Sequence, residues 1–500
     1  MSARKHMDHD ASDGFRADVR GFLRELNKHT SAGHKRAVLL LLLVGVILRA
    51  ALLTGPIGYD EAFAYVQFAT LPAGKLIGHL SHPANQIFHT LLTKWSTELF
   101  GLGPIQLRLP AFLSGVLVLP LFYFFVRAMF NRYIALLSLA FVVASGPLVE
   151  YSAMARGYSL TWLCMMLAFV LGRHLIKTNS MTSAALIGVT CAFGLWTLPS
   201  MIFVVIMVYI WLLFSLTTRY EHSLRPRMNL LLLSIGVFML LTVMLYLPVI
   251  RAHGLDQIMH HPSVPYLNWR QFRRKHDAMS FDLWAYLVDS TSVWLAILGL
   301  LGLVQAAFVS SKFRTLGFGL VLGAVPLVVF LRQIIPTLDW LYALFIFHLS
   351  SGIALFYLLK FVQEKLIPGF SKRIRTQLAA VVVLFIFGIP GMRMAMERTE
   401  GMPEAARTVT YAKSRLQPGD KLYAIYPWDA PIRFEAMVLG LDAGYLSGSP
   451  SPGATILVAF SPLNEQSVED VLRHHEEDPA QWPGLHMVQD WPGLRIFAAP

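Results

Sequence analysis

The chain has 500 residues, 55% of them hydrophobic and only 14% charged, and its mean hydropathy is +0.54, which excludes a soluble globular protein. The net charge of +12 comes from Lys and Arg in short clusters between apolar runs, not from one continuous basic face, and this argues against a nucleic-acid partner. Cys164 and Cys191 both lie inside apolar runs without metal-ligand spacing and read as buried thiols.

Residues 1–36 are polar, with an amphipathic stretch from Phe15 to Leu26, and end in His34, Lys35 and Arg36. A signal peptide would carry its apolar core nearer the start, followed by a small-residue cleavage site. The tail therefore reads as a cytoplasmic extension ahead of a retained anchor. Apolar runs of about 17 to 22 residues follow, and in lipid these must be helices, which satisfy their own backbone hydrogen bonds. The alternating pattern of a membrane barrel is absent.

About eleven transmembrane helices are predicted, near 37–54, 108–127, 133–149, 158–172, 181–198, 201–217, 229–249, 287–309, 315–331, 342–360 and 377–393. Arg16, Arg20, Arg24, Lys28, Lys35 and Arg36 precede the first span and place the N-terminus inside. Residues 84–100 are apolar enough to mimic a further span. Phe88, Leu91, Leu92, Trp95 and Leu99 share one helical face, however, while Lys94 and Glu98 share another, which predicts a helix lying in the interface. With 84–100 not crossing, the clusters at Arg127 and Arg132, Arg173 and Lys177, Arg219 to Arg227, Lys312 and Arg314, and Lys360 to Arg375 all fall inside, and the C-terminus falls outside.

The composition changes beyond Arg398. Pro403 opens a helix, Pro418, Gly419 and Asp420 make a turn, and Lys421–Tyr426 and Thr455–Phe460 read as strands. A helix near Glu465–His475 and a last strand at Arg495–Ala499 complete a small α/β domain. The expected organisation is a cytoplasmic tail (1–36), an all-α polytopic membrane domain with a large first extracytoplasmic loop (37–398) and an extracytoplasmic α/β domain (399–500).

The residues with chemical potential all fall in outside-facing loops. Asp60 and Glu61 follow the first span, although Asp60 also suits a simple helix cap after Gly58. His82 and Pro83, within Ser81-His82-Pro83-Ala84-Asn85, precede the interfacial helix, in a form usual for a turn. Arg156 follows the third span, ahead of Gly157 and Tyr158. It suits either an interface anchor or a phosphate clamp, because guanidinium forms planar, bidentate contacts with phosphate oxygens. The loop at 249–286 carries His260, His261, Arg270, Arg273, Arg274, Lys275 and His276, interleaved with Tyr266 and Trp269, a setting for an anionic partner such as a lipid phosphate. Arg332 and Asp339 face the same side.

Taken together, Tyr59-Asp60-Glu61, His82-Pro83, Arg108-Leu109-Pro110 and Tyr151-Ser152 with Ala155-Arg156-Gly157-Tyr158 resemble the lipid-linked-sugar glycosyltransferases of the C-type membrane fold. The similarity is greatest to bacterial relatives of dolichyl-phosphate-mannose-protein mannosyltransferases, including aminoarabinose transferases to lipid A. It covers residues 37–250 in order and more loosely reaches 393. The resemblance implies a hexosyl- or pentosyltransferase of the bacterial inner membrane, with an extracytoplasmic active site. Its partners would be a polyprenyl-phosphate-sugar donor, a lipid, glycan or protein acceptor, and membrane lipids, with no nucleic acid.

By position, the resemblance implies that Asp60 matches the acidic residue the family uses as catalytic base or acceptor-orienting group and Glu61 its common neighbour, while His82, Arg156 and Tyr158 fall at substrate-binding positions. Two departures stand out. Met154 replaces a frequent Glu, and Asp339-Trp340-Leu341-Tyr342 replaces a late Arg-Tyr pair, so that either Arg332 substitutes for the missing arginine or the donor is bound differently. Transfer from a phosphate-linked sugar needs a carboxylate near the acceptor hydroxyl and cations near the phosphate. A divalent cation is optional, with Asp60, Glu61, His82 and His89 as its available ligands and no spacing that compels one. Two rivals remain: a lipid or solute transporter or flippase, disfavoured by span interiors nearly free of charge, and a non-catalytic lipid-binding relative.

Overall fold

The structure is a computed structural model that describes residues 14–17, 19–21, 24, 30–80, 82–218, 223–255, 266–365, 372–399 and 401–499. Ser81, Arg219, His260 and His261, and parts of the N-terminal tail and of the 360–375 cluster, lie outside the described residues. The chain divides into two compact units. One comprises Met1–Ala51, Ile77–His89 and Pro110–Met396; the other comprises Leu52–Leu76, Thr90–Leu109 and Glu397–Pro500.

Every predicted span falls on helical segments, two of them broken. Among the described residues, six helices are long and apolar enough to cross a membrane, or seven if one bent pair counts as a single span, and three shorter apolar helices accompany them. The first unit is built around one of these shorter helices, Arg132–Ala144, whose residues from Ile134 to Ala144 are all buried. Helix Ala343–Lys365 packs along it and against Val293–Val309, Met181–Thr197 pairs with Leu224–His253, and Met201–Thr217 pairs with Ser311–Leu331.

Two breaks depart from the predicted spans. The span expected at 287–309 is instead a helix, Trp269–Thr291, bent by 111° onto Val293–Val309. The turn falls at Ser292, whose φ of 75° lies in the left-handed region and whose hydroxyl caps the second helix by accepting from the Leu295 amide. The third span stops at Ala144 and resumes as Gly146–Glu150, with Pro147 in its first turn. There Gly146 and Gly391 meet backbone to backbone, and a Cβ on Gly391 would sit 2.3 Å from the Ala144 carbonyl oxygen. Small residues allow such close approach in membrane helices. Gly391→Ala is expected to lower the melting temperature in detergent, at a cost of about 1–3 kcal/mol from overpacking, while leaving exposed-surface controls unchanged.

Helix Ile87–Phe100, predicted not to cross, has 14 residues. At 1.5 Å per residue it reaches about 21 Å, short of the roughly 30 Å hydrocarbon core. It buries Leu91 with a strip of Thr90, Thr93, Ser96 and Thr97, and exposes Trp95, Leu99 and Phe100. The Ser96 hydroxyl donates to the Gln106 carbonyl at 2.7 Å.

In the second unit, residues 401–499 form a four-stranded sheet in the order β1-β2-β4-β3, where β1 is Lys421–Ala424, β2 Ile456–Phe460, β3 His486–Trp491 and β4 Leu494–Ala499. β1 pairs parallel to β2, and the other pairings are antiparallel. Alternation divides the apolar side chains: Leu422, Leu457, Ala459 and Ile496 cluster with helices Pro403–Arg415 and Asp429–Leu439, whereas Tyr423, Ile456, Val458 and Phe460 cluster with helix Val468–His474. Burial on both faces explains why β2 is an unbroken apolar run.

Candidate active site

The chain leaves its first helix at Ala50 and turns through Gly55 and Pro56 into the short helix Tyr59–Ala64. Asp60 lies in that helix's first turn and is exposed, whereas Glu61 beside it is buried. Glu61 Oε2 accepts from the Gly58 amide at 3.2 Å, and both its oxygens face Arg108, which donates from Nε to Oε1 at 2.9 Å and from Nη2 to Oε2 at 2.7 Å. The remaining donors of Arg108 reach backbone oxygens of Leu52, Leu53, Gly55 and Pro56 at 2.8–3.3 Å. A guanidinium has five N–H groups in a fixed fork, and here they staple the whole turn. Asp60 is thereby displayed from a backbone with little freedom. Tyr59 precedes it, and burial, followed by Asp429, Tyr426 and Asp60, pushes its phenol up to about 12, so it is a protonated donor at neutral pH.

The other unit gathers a second group. Gly157 N donates to Gln86 Oε1, and a Cβ on Gly157 would collide with Thr197, Gln86 and His89. Only glycine lets the 150–158 turn lie this close. The Arg156 guanidinium lies 5.7 Å from the Tyr158 ring centre. Burial and then Arg156 push His89 down to about 3, which keeps its ring neutral. Tyr158, Trp162, Ser200, Asp339 and Tyr342 line one cleft. Burial pushes Asp339 from its ordinary 3.8 up to about 6, partly offset by the nearby Ser200 hydroxyl and by Arg156.

Because its folded pKa is raised, Asp339 contributes stability that is complete below about pH 4 and is lost as pH rises through about 6. Asp339→Asn is expected to melt at a higher temperature than wild type at pH 8, with the difference vanishing below pH 4, as read by thermal unfolding across that range.

Of the residues predicted from sequence, Arg156 and Tyr158 come together, in company with His89 and Asp339. Asp60 and Glu61 come together with Arg108 in the other unit. His82 is exposed within its own turn, where Nδ1 accepts from the Ala84 amide at 3.1 Å. Arg332 ends helix Ser311–Leu331 with a φ of 50°, and its guanidinium lies 5.6 Å from the Trp269 ring centre. Arg270, Arg273, Arg274 and Lys275 are exposed along helix Trp269–Thr291. Sequence reasoning missed Arg108 as the partner of Glu61, although Arg108-Leu109-Pro110 was part of the motif set, and it read Asp339 only as a departure from the family pattern.

Comparison with known proteins adds to this geometry. Residues 81–246 match the family model of dolichyl-phosphate-mannose-protein mannosyltransferase. No curated protein sequence matches the chain. Among solved structures, ArnT from Cupriavidus metallidurans in the apo state aligns with a TM-score of 0.62 at 14% identity, over 94% of this chain and 98% of that one. The same protein bound to undecaprenyl phosphate gives a TM-score of 0.59 at 14% identity, over 92% and 97%. The archaeal oligosaccharyltransferase AglB from Archaeoglobus fulgidus, in complex with an inhibitory peptide and a dolichol-phosphate, gives 0.52 at 11% identity, over 94% and 74%. The chain is thus a multi-pass membrane protein with the C-type fold of membrane glycosyltransferases, and its residues 81–246 carry the sequence pattern of the dolichyl-phosphate-mannose-protein mannosyltransferase family.

Proposed function

We propose that the protein is a glycosyltransferase that moves a sugar from a polyprenyl-phosphate donor to an acceptor on the extracytoplasmic face of a bacterial inner membrane, with inversion at the anomeric carbon. The observation that carries this reading is the exposed Asp60 carboxylate set on a turn fixed by the buried Glu61–Arg108 pair. It is supported by the likeness of fold to a structure holding undecaprenyl phosphate.

In the proposed step the acceptor hydroxyl attacks the anomeric carbon as Asp60 takes its proton, the bond from that carbon to the phosphate oxygen breaks, and polyprenyl phosphate leaves with the electron pair. Glu61, with both oxygens on Arg108, is assigned a positioning role. Arg156 is assigned to the phosphate, because guanidinium pairs with phosphate oxygens and offsets charge that grows in the transition state. Tyr158, His82 and Arg332 are assigned to substrate binding.

No divalent cation is given a role. Of the side chains the sequence offered, Glu61 is committed to Arg108 and His89 is buried beside Arg156, so they make a poor ligand set. Because the leaving phosphate is already anionic, Arg side chains are sufficient to stabilise it.

Arg156→Gln is expected to raise the donor KM about tenfold or more, the loss of a charge-assisted contact. Initial rates against a titrated polyprenyl-phosphate-sugar would show this, and an unchanged donor KM would remove Arg156 from the phosphate site. The N-terminus is placed in the cytoplasm and the C-terminus outside. Labelling of terminal tags in intact spheroplasts tests that topology.

A further inference from the structure

We infer that Tyr426 and Asp429 of the C-terminal domain bind the acceptor next to Asp60, and that the acceptor presents a neutral sugar ring. This inference rests on the proposed transfer reaction and deepens it by naming the acceptor class.

The loop that carries Asp60 is built into the C-terminal domain. The Met402 amide donates to the Ile57 carbonyl at 3.1 Å. Gly401, at a φ of 65°, lies so close to Pro56 that a Cβ would sit 2.3 Å from its carbonyl oxygen. Tyr65 meets Phe434 edge-on at 5.6 Å. Above this seam Tyr59 stacks on Phe63 at 5.6 Å and receives Tyr426 edge-on at 4.8 Å. Tyr426 remains 61% exposed despite that contact. Asp429 lies in the first turn of helix Asp429–Leu439, and burial, followed by Asp429, Tyr426 and Asp60, raises the Tyr59 phenol. Asp60 adjoins Tyr59 in the chain, and Asp429 lies three residues beyond Tyr426, whose ring meets Tyr59.

Asp429 Oδ1 is buried and accepts no hydrogen bond among the described residues. A buried carboxylate oxygen is costly without a donor, and a bound hydroxyl would satisfy it. Exposed aromatic rings take the apolar face of a sugar, while carboxylates take its hydroxyls. Asp60 and Asp429 are both carboxylates, so the platform disfavours a phosphorylated or otherwise anionic acceptor.

The test uses full-length protein in nanodiscs with a labelled polyprenyl-phosphate-sugar donor and two probes, an alkyl glycoside and a Ser/Thr peptide. Wild type is expected to label the glycoside. Tyr426→Ala and Asp429→Asn are expected to raise the glycoside KM about tenfold with kcat and donor KM little changed, a loss on the scale of one stacking or hydrogen-bonding contact. Thermal unfolding of both variants in the same nanodiscs is expected to match wild type and so controls for folding. Labelling of the peptide alone, or a glycoside KM that neither substitution moves, overturns the inference while leaving the transferase standing. Absence of label on both probes overturns the transferase and this inference with it.

Discussion

Asp60→Asn is expected to lose about 10²–10⁴-fold in sugar transfer, the range that removal of a general base produces, while the protein inserts and melts as wild type does. The replacement is isosteric, keeps an acceptor oxygen and sits at an exposed position. Glu61, Arg108 and the Gly58 amide hold the turn beneath it and are untouched by the change. The expected signature is therefore a fall in kcat with donor binding retained, which distinguishes a missing base from a misplaced loop. A fall in donor affinity alone would instead place Asp60 in binding.

The second large effect is on stability. Arg108→Leu is expected to cost about 3–5 kcal/mol, the penalty for leaving a buried charge uncompensated. Glu61 and Arg108 are each only 1% exposed, and the substitution strands the carboxylate together with the backbone oxygens of Leu52, Leu53, Gly55 and Pro56. Replacing both partners by Leu removes the stranded charge and is expected to melt above Arg108→Leu. It is not expected to reach wild type, because the backbone oxygens still lack their donor. Thermal unfolding in one detergent, with the single and double variants side by side, reads the coupling directly. Equal melting for Arg108→Leu and the double variant would show that the carboxylate gains nothing from Arg108. Both variants are also expected to slow transfer, since they release the turn that displays Asp60.

The presence of several apolar membrane helices was legible in the sequence because hydropathy is a property of each segment alone. An apolar run such as 229–249 needs no distant partner to be helical in lipid. The breaks were not legible, since the bend at Ser292 depends on one backbone angle that a polar residue in an apolar run does not announce. The polar packing strip of helix Ile87–Phe100 was hidden for a related reason: Thr90, Thr93, Ser96 and Thr97 read as neutral between the larger apolar side chains, yet they are the residues that pack inward.

In the C-terminal domain, β2 and β4 were visible as apolar runs. β3 was not, because His486–Trp491 is a mixed, largely exposed edge strand. Helix Asp429–Leu439 was obscured by Pro431, which is tolerated because it falls in the first turn. At the candidate site, Asp60 was singled out in the sequence by adjacent acids and family resemblance. What separated Asp60 from Glu61 was Arg108, 47 positions further along the chain, and no local pattern links residues at that distance. The same limit kept Tyr426 and Asp429 apart from Tyr59 until the fold brought them together.

The most direct measurement is made with wild-type protein reconstituted in liposomes loaded with a labelled polyprenyl-phosphate-sugar and supplied with acceptor on the outer face. Label is expected to move from the lipid to the acceptor, with unlabelled polyprenyl phosphate appearing in equal amount. Label that crosses the bilayer but stays on its lipid would contradict it, and would identify the protein as a transporter of the donor.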